Sequence, residues 1–225
     1  MFGKSASLVY LVLLGLAAAQ TECPELPDTG VDFGQPVPMK PEDIPAGCSD
    51  YEILVARGTS EPNAEGGKFG IIVGDPVVSN TTVKLAGARG YPVQYPASSS
   101  IISGTRQGAA DVVNRLKAQA AACPNQLFSL VGYSQGAGVM HAAADDIPVS
   151  LYPRIKSLVM FGDGYNRLGA LGRFPIGLNT KAKQVCASGD PTCDRNGDCT
   201  YYHLTYIRPE YIDPAVDFIV KGFTG

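Results

Sequence analysis

The feature that most constrains this chain is short. An apolar run, Leu127 to Val131, ends in Gly132-Tyr133-Ser134-Gln135-Gly136 and passes at once into small residues beginning at Ala137. A buried strand that breaks on glycine-x-serine-x-glycine and enters a helix carries its serine on a sharp turn. Glycine at 132 and 136 lets neighbouring backbone come close, and the serine hydroxyl projects clear of the chain. The pattern predicts a nucleophile on a strand–turn–helix elbow. The backbone N–H of Gln135 then lies at a helix N-terminus, where it can hold a developing negative oxygen.

The elbow needs a sheet around it, and the flanking sequence supplies one. Tyr51–Ala56 and Ile155–Phe161 read as buried strands, Tyr91–Tyr95 and Gln184–Ala187 as further ones. Between them, Ser103–Ala122 repeats apolar residues at helical spacing through Ala109, Val112, Val113, Leu116 and Ala120, with Ser103 as a candidate cap. Ala137–Ala144 reads as a second helix, and a final one starts at Tyr211 or Asp213 and presents Ala215, Phe218 and Ile219. Strands alternating with helices predict an α/β fold, a parallel sheet covered by helices on both faces.

The N-terminus reads as a targeting segment. Lys4 precedes an apolar run from Leu8 to Ala18, and Ala17-Ala18-Ala19 offers a small-residue cleavage site. A run of about a dozen apolar residues is too short to span a bilayer, so residues 1–19 are expected to be a signal peptide and the mature chain to be secreted and extracellular. Residues 20–47, rich in proline, aspartate and glycine, read as an extended arm or pro-segment, and 48–225 as one domain. Hydrophobic residues form 45% of the chain and charged ones 17%, enough for a sizeable core, and the net charge of −3 comes without a basic patch for nucleic acid. Six cysteines behind a signal peptide imply disulfides, with the pairing open. No C-x2-C pair and only two histidines argue against a metal site. Asn80-Thr81-Thr82 is a glycosylation sequon, expected at the surface.

A serine nucleophile needs a base, and only His141 and His203 are available. His141 lies seven residues beyond Ser134 on the same expected helix, roughly 10 Å along its axis and away from the elbow. It is read as structural or surface. His203 comes late, in the chain order serine, aspartate, histidine, and is taken as the base. Three aspartates compete as its partner: Asp163, after a strand; Asp190, between Cys186 and Cys193; and Asp198, five residues before His203. Asp190 is favoured, because a bridge across its loop would fix the carboxylate; Asp163 reads as a turn residue and Asp198 as a solvated one.

Four blocks in order then carry a resemblance to the cutinase family of fungal secreted esterases. They are Ala56-Arg57-Gly58-Thr59 with Glu61; Cys123-Pro124 leading into Gly-Tyr-Ser134-Gln-Gly; Phe161-Gly162-Asp163; and Cys186-x3-Asp190-x2-Cys193 followed by His203-Leu204-x-Tyr206. The resemblance implies a small, lidless α/β-hydrolase, a three-layer α/β/α sandwich. It implies Ser134 as nucleophile, Asp190 as acid, His203 as base, and Thr59 beside Gln135 in the oxyanion hole. It also implies bridges Cys48–Cys123 and Cys186–Cys193, and no cofactor. Cys23 and Cys199 have no counterpart in that two-bridge pattern; paired, they would staple the arm beside the loop of His203. Asp194 to Asp198 is more polar than expected of that rim.

The expected activity is hydrolysis of carboxylic esters by a monomer, with cutin and related aliphatic esters as first substrate and acetylated cell-wall polysaccharide as the alternative. A non-catalytic secreted binding protein on the same scaffold is disfavoured, since serine, aspartate and histidine are all present in order. An interfacial lipase ranks lower, because no segment reads as an amphipathic lid.

Overall fold

The computed structural model describes residues 22–26, 34–63 and 65–225; the expected signal peptide, 1–19, lies outside them. Five strands and four helices alternate: β1 (Tyr51–Ala56), α1 (Gly74–Lys84), β2 (Ala88–Pro92), α2 (Ile101–Ala122), β3 (Leu127–Tyr133), α3 (Gln135–Asp146), β4 (Ile155–Phe161), β5 (Ala182–Val185) and α4 (Pro209–Thr224). The strands form one parallel sheet in the order β2-β1-β3-β4-β5. Helices α2 and α3 cover one face, α1 and α4 the other, so the architecture is a three-layer α/β/α sandwich.

The two cores follow from strand alternation. Leu54, Ala56, Phe128, Leu130, Leu158 and Met160 point to the α2/α3 side. Ile53, Val55, Val131, Tyr133, Val159 and Phe161 point to the α1/α4 side. Central strands buried on both faces read as unbroken apolar runs, which is why β1 and β4 run where the sequence placed them. The edges do not. The expected Tyr91–Tyr95 strand is Ala88–Pro92, and Gln184–Ala187 is Ala182–Val185. An edge strand takes its limits from its neighbour's register, here Tyr51 opposite Ala88 and Leu158 opposite Ala182, and not from its own apolar residues. Helix α2 begins two residues earlier than expected, with Ser100 at its N-cap and not Ser103, and α4 begins at Pro209.

Helix α1 has no forecast in the sequence. It opens on Gly74-Asp75-Pro76 and contains Ser79-Asn80-Thr81-Thr82, all poor helix formers. The buried Thr81 turns its hydroxyl back to the Val77 carbonyl, 2.7 Å away. Packing of Val77 and Val78 in the α1/α4 core holds the helix. The sequon residue Asn80 is partly exposed on it.

The described part of the arm is not packed inside, yet it is stitched to the body. Gly34 N–H donates to Ser60 Oγ at 2.7 Å, and Ser60 Oγ donates to the Gln35 carbonyl at 2.9 Å. Val37 N–H donates to the Pro96 carbonyl at 2.7 Å. Three disulfides are present: Cys23–Cys199, Cys48–Cys123 and Cys186–Cys193. Cys48–Cys123 closes a loop of 75 residues and ties the entry to β1 to the end of α2. Replacing both cysteines with alanine should lower the unfolding free energy by about 2–5 kcal/mol. Denaturant titration against the wild type measures this; an unchanged midpoint would show that the bridge constrains nothing.

Candidate active site

In a parallel sheet, loops leaving adjacent strands in opposite directions open a crevice at the carboxyl ends. Here that switch lies between β1, whose chain continues to β2 on one side, and β3, whose chain continues to β4 on the other. Thr59 follows β1, and Ser134 follows β3.

Ser134 has φ of 53° and ψ of −116°, a left-handed backbone that costs about 1–3 kcal/mol for a non-glycine residue. The turn holds because its flanks leave no alternative. A Cβ on Gly136 would stand 1.9 Å from the Ala56 carbonyl oxygen, and one on Gly132 would stand 2.6 Å from the Gly136 carbonyl oxygen. The first turn of α3 is thus pressed against the end of β1. Ser134 N–H donates to the Phe161 carbonyl at 3.0 Å, tying the turn to the end of β4.

That bond brings in the histidine. Gly162 follows Phe161 with φ of 54°, and a Cβ there would meet the His203 ring at 2.7 Å. Gly162 is therefore the floor under the imidazole. Tyr133, the neighbour of Ser134, sets its ring tilted against His203 with centroids 5.2 Å apart, and its hydroxyl donates to the His203 carbonyl at 2.7 Å. Ser134 and His203 thus converge on one corner, with no hydrogen bond between their side chains among the described residues. Such bonds are often long before substrate arrives.

His203 Nδ1 lies 2.8 Å from Asp190 Oδ2. Asp190 is fully buried. Burial alone would raise its carboxyl. The bond to His203 and its charge, the Tyr206 hydroxyl and the Thr192 N–H outweigh burial and hold the carboxyl below its usual range. Tyr206 Oη donates to Asp190 Oδ2 at 2.6 Å and itself accepts from Ala187 N–H at 3.1 Å. Thr192 N–H reaches Oδ1 at 2.8 Å. Asp190 sits in the loop closed by Cys186–Cys193, and Gly197 packs so closely on it that a Cβ there would stand 2.6 Å from the Asp190 carbonyl carbon. Cys23–Cys199 anchors the arm to the same segment.

The other candidates lie elsewhere. His141 is buried, not at the surface. It pairs with the buried Asp163, Nε2 to Oδ2 at 2.8 Å, between the rings of Tyr165 and Phe174 at 4.2 and 4.0 Å. Asp163 also accepts from Tyr165 N–H and Gln184 Nε2, so it holds a turn. Asp198 is exposed. Among the described residues no group of three or more histidine, cysteine or acidic side chains is placed to hold a metal ion.

On the opposite wall, Thr59 Oγ1 donates to Gln135 Oε1 at 3.1 Å. The loop bearing Thr59 is braced by Glu61, which appeared in the sequence only as one letter of a motif. Its buried carboxylate accepts from Gly58 N–H at 2.7 Å, Ile72 N–H at 2.7 Å and Val73 N–H at 3.3 Å. Burial pushes the Glu61 carboxyl up to about 7, against the lowering pull of those three N–H groups and Arg57. Tyr206 was likewise only a motif letter. Neither role has a local signature, since each depends on what the fold sets opposite.

The cutinase family model matches residues 47–223. The cutinase cut1 of Trichoderma harzianum is 34% identical over 178 residues, 76% of this chain and 66% of that protein, so the match spans slightly less than two thirds of the relative's length. A Trichoderma reesei cutinase solved with a phosphonate inhibitor superposes with a TM-score of 0.67 at 30% identity, covering 87% of this chain and 82% of that one. The catalytic core of a Trichoderma reesei acetyl xylan esterase shares the fold, with a TM-score of 0.66 at 21% identity over 78% of this chain and all of that one.

Two outcomes follow. Tyr206→Phe removes one donor to Asp190 and strands the Ala187 N–H, so unfolding free energy should fall by about 1–3 kcal/mol in denaturant; no loss would mean the hydroxyl is idle. Glu61 binds its proton more tightly folded (about 7) than at its ordinary value of 4.5. Its contribution is therefore present below about pH 4.5 and lost as pH rises through about 7. The stability advantage of wild type over Glu61→Gln should shrink between pH 5 and pH 8 in thermal melts, by on the order of 1.4 kcal/mol per unit of displacement. An advantage that grows with pH would mean the N–H groups dominate burial.

Proposed function

The chain belongs to the cutinase family of carboxylic ester hydrolases, and we propose that it is a secreted serine esterase working through Ser134, His203 and Asp190. The observation that carries the reading is the 2.8 Å pair of His203 and Asp190, set over Gly162 at the strand end that also receives the Ser134 N–H.

In this reading His203 Nε2 takes the proton of Ser134 Oγ as that oxygen attacks the ester carbonyl carbon. Asp190 stays ionised, orients the ring through Nδ1 and stabilises the imidazolium. The oxyanion is held by the Gln135 N–H, the first donor of α3, with the Thr59 hydroxyl and N–H; such donors are worth about 3 kcal/mol each. The tetrahedral intermediate collapses, and His203 gives the proton to the departing alcohol. The acyl group now sits on Ser134 Oγ. Water, deprotonated by His203, attacks it, and the carboxylic acid leaves with the serine proton restored.

The substrate proposed first is an aliphatic ester such as cutin. Ile101 and Ile102 are exposed at the start of α2, the turn whose Gly104 adjoins Gln135; they offer an apolar surface for an aliphatic chain. The second reading, a short acyl group such as acetate on a polysaccharide, has its own support. Exposed Arg195 and Asp198 and the arm anchored at Cys199 make the wall beside Asp190 polar and crowded.

Hydrolysis of p-nitrophenyl esters from acetate to palmitate, by wild type and Ser134→Ala, tests both. The expected result is loss of turnover in the variant by about 10⁴-fold or more and a wild-type optimum near butyrate. An optimum at acetate with steep decline selects the second reading. Activity retained by the variant would overturn the nucleophile.

A further inference from the structure

Acyl transfer makes no use of the second histidine, yet it is built in like the first. His203 pairs with the buried Asp190, and His141 pairs with the buried Asp163, each at 2.8 Å. Gly162 joins the two pairs. The His203 ring rests on it, and Asp163 is the next residue.

Gly162 can pass under the imidazole because it lacks a side chain, and the same lack leaves it without stiffness of its own. Its N–H donates to the Val185 carbonyl at 3.0 Å, where the pairing of β4 with β5 ends. Asp163 holds the chain beyond that point. One carboxyl oxygen accepts from Tyr165 N–H at 2.9 Å. The other accepts from Gln184 Nε2 of β5 at 2.7 Å and faces His141 Nε2 of α3 at 2.8 Å. His141 lies nearly parallel to the rings of Tyr165 and Phe174 on its two faces, at interplanar angles of 13° and 8°. Bonded at one edge and stacked on both faces, the ring is held in one orientation.

Helix α3 therefore meets the end of β4 twice. At its N-cap, Ser134 N–H donates to the Phe161 carbonyl at 3.0 Å. Seven residues further along the helix, His141 meets Asp163. Residues 161–163 lie between these two anchors. The first anchor bears the nucleophile, and the residue between them bears the weight of the base. The segment that follows, Gly164–Gly172, also reaches the acid loop. Arg167 Nη1 donates to the Pro191 carbonyl at 2.7 Å, and Arg195 Nη2 donates to the Arg167 carbonyl at 2.7 Å.

We propose that His141 and Asp163 form a positioning pair for the reaction. By clamping residues 161–163 to α3, they fix the separation of Ser134, at the head of that helix, from His203 above Gly162. Neither residue touches substrate, and no proton passes through them. The inference rests on the acyl-transfer reading of Ser134 and His203. Proton transfer from Ser134 Oγ depends steeply on the distance to the imidazole, and a misplacement of about 1 Å costs up to about 10²-fold. The pair lines neither surface offered above to the substrate, so its loss falls on kcat and not on KM.

The test measures p-nitrophenyl butyrate hydrolysis, with active sites counted by the burst of p-nitrophenolate from a p-nitrophenyl phosphonate. His141→Phe keeps a ring in the stack and deletes the bond. His141→Phe combined with Asp163→Asn deletes the pair without leaving a buried charge unpaired. His141→Gln sets an amide nitrogen close to where Nε2 stood. Per titrated site, kcat should fall about tenfold in both Phe variants with KM within about twofold, and His141→Gln should stay within about threefold of wild type. An unchanged kcat per site in the double variant, even with fewer sites or a lower thermal midpoint, would show a purely structural pair and overturn the proposal. A rise in KM at constant kcat would do the same. Equal losses in His141→Gln and His141→Phe would show that the bond positions nothing. Activity in Ser134→Ala would instead overturn the acyl-transfer reading, so the two failures are distinguishable.

Discussion

The first turn of α3 is driven so close to the end of β1 that only hydrogen fits at position 136, where an added Cβ would stand 1.9 Å from the Ala56 carbonyl oxygen. Everything at the candidate site is arranged around that approach. It forces the chain to reverse within one residue after β3, which puts Ser134 at positive φ. It also aims the unpaired N–H groups of α3 at the crevice between β1 and β3, the one place in this sheet where two loops part. The strain is tolerated because Ser134 N–H is captured by β4 and because α3 is buried against the sheet along Ala137, Val139, Met140 and Ala143.

A second hub stands on the other side of the serine. Tyr206 packs edge-on against Phe161 and Tyr133 and places its hydroxyl between Asp190 and the Ala187 N–H. One buried phenol therefore ties the end of β5, the acid loop and the segment bearing His203 to the core. Asp190 owes its ionised form to this company: with three donors on two oxygens, a carboxylate can stay charged at full burial. Glu61 has three backbone N–H donors too, but its charge partner is more distant and desolvation wins. Two buried carboxyls beside one site thus sit on opposite sides of their ordinary values, and the difference is the presence of a histidine and a phenol.

The N-terminal arm joins both rims. Its described parts are fixed at Cys199, four residues before His203, and at Ser60, next to Thr59. The two cysteines outside the two-bridge pattern therefore fix the start of the described arm beside the segment bearing His203.

The local arithmetic of the chain determined a good deal. β1 and β4 could be read to the residue because central parallel strands are apolar on both faces. The elbow at Ser134 was legible because a sharp turn between a strand and a helix demands glycine at set offsets, and covalent geometry alone imposes that demand. The aspartate facing His203 was legible only in part: the cysteines around Asp190 favoured it over Asp163 and Asp198, but a carboxylate's partner is a matter of what lies across space. Only packing pairs Asp163 with His141, exposes Asp198 and buries Asp190 under Tyr206. The same holds for α1, which tertiary contact stabilises against its own residue preferences, and for the edge strands, whose limits belong to their neighbours. It holds too for Gln135: as a letter it marked a backbone N–H at a helix start, and only the fold closes Thr59, in the loop after β1, and Gly104, in α2, around its side chain.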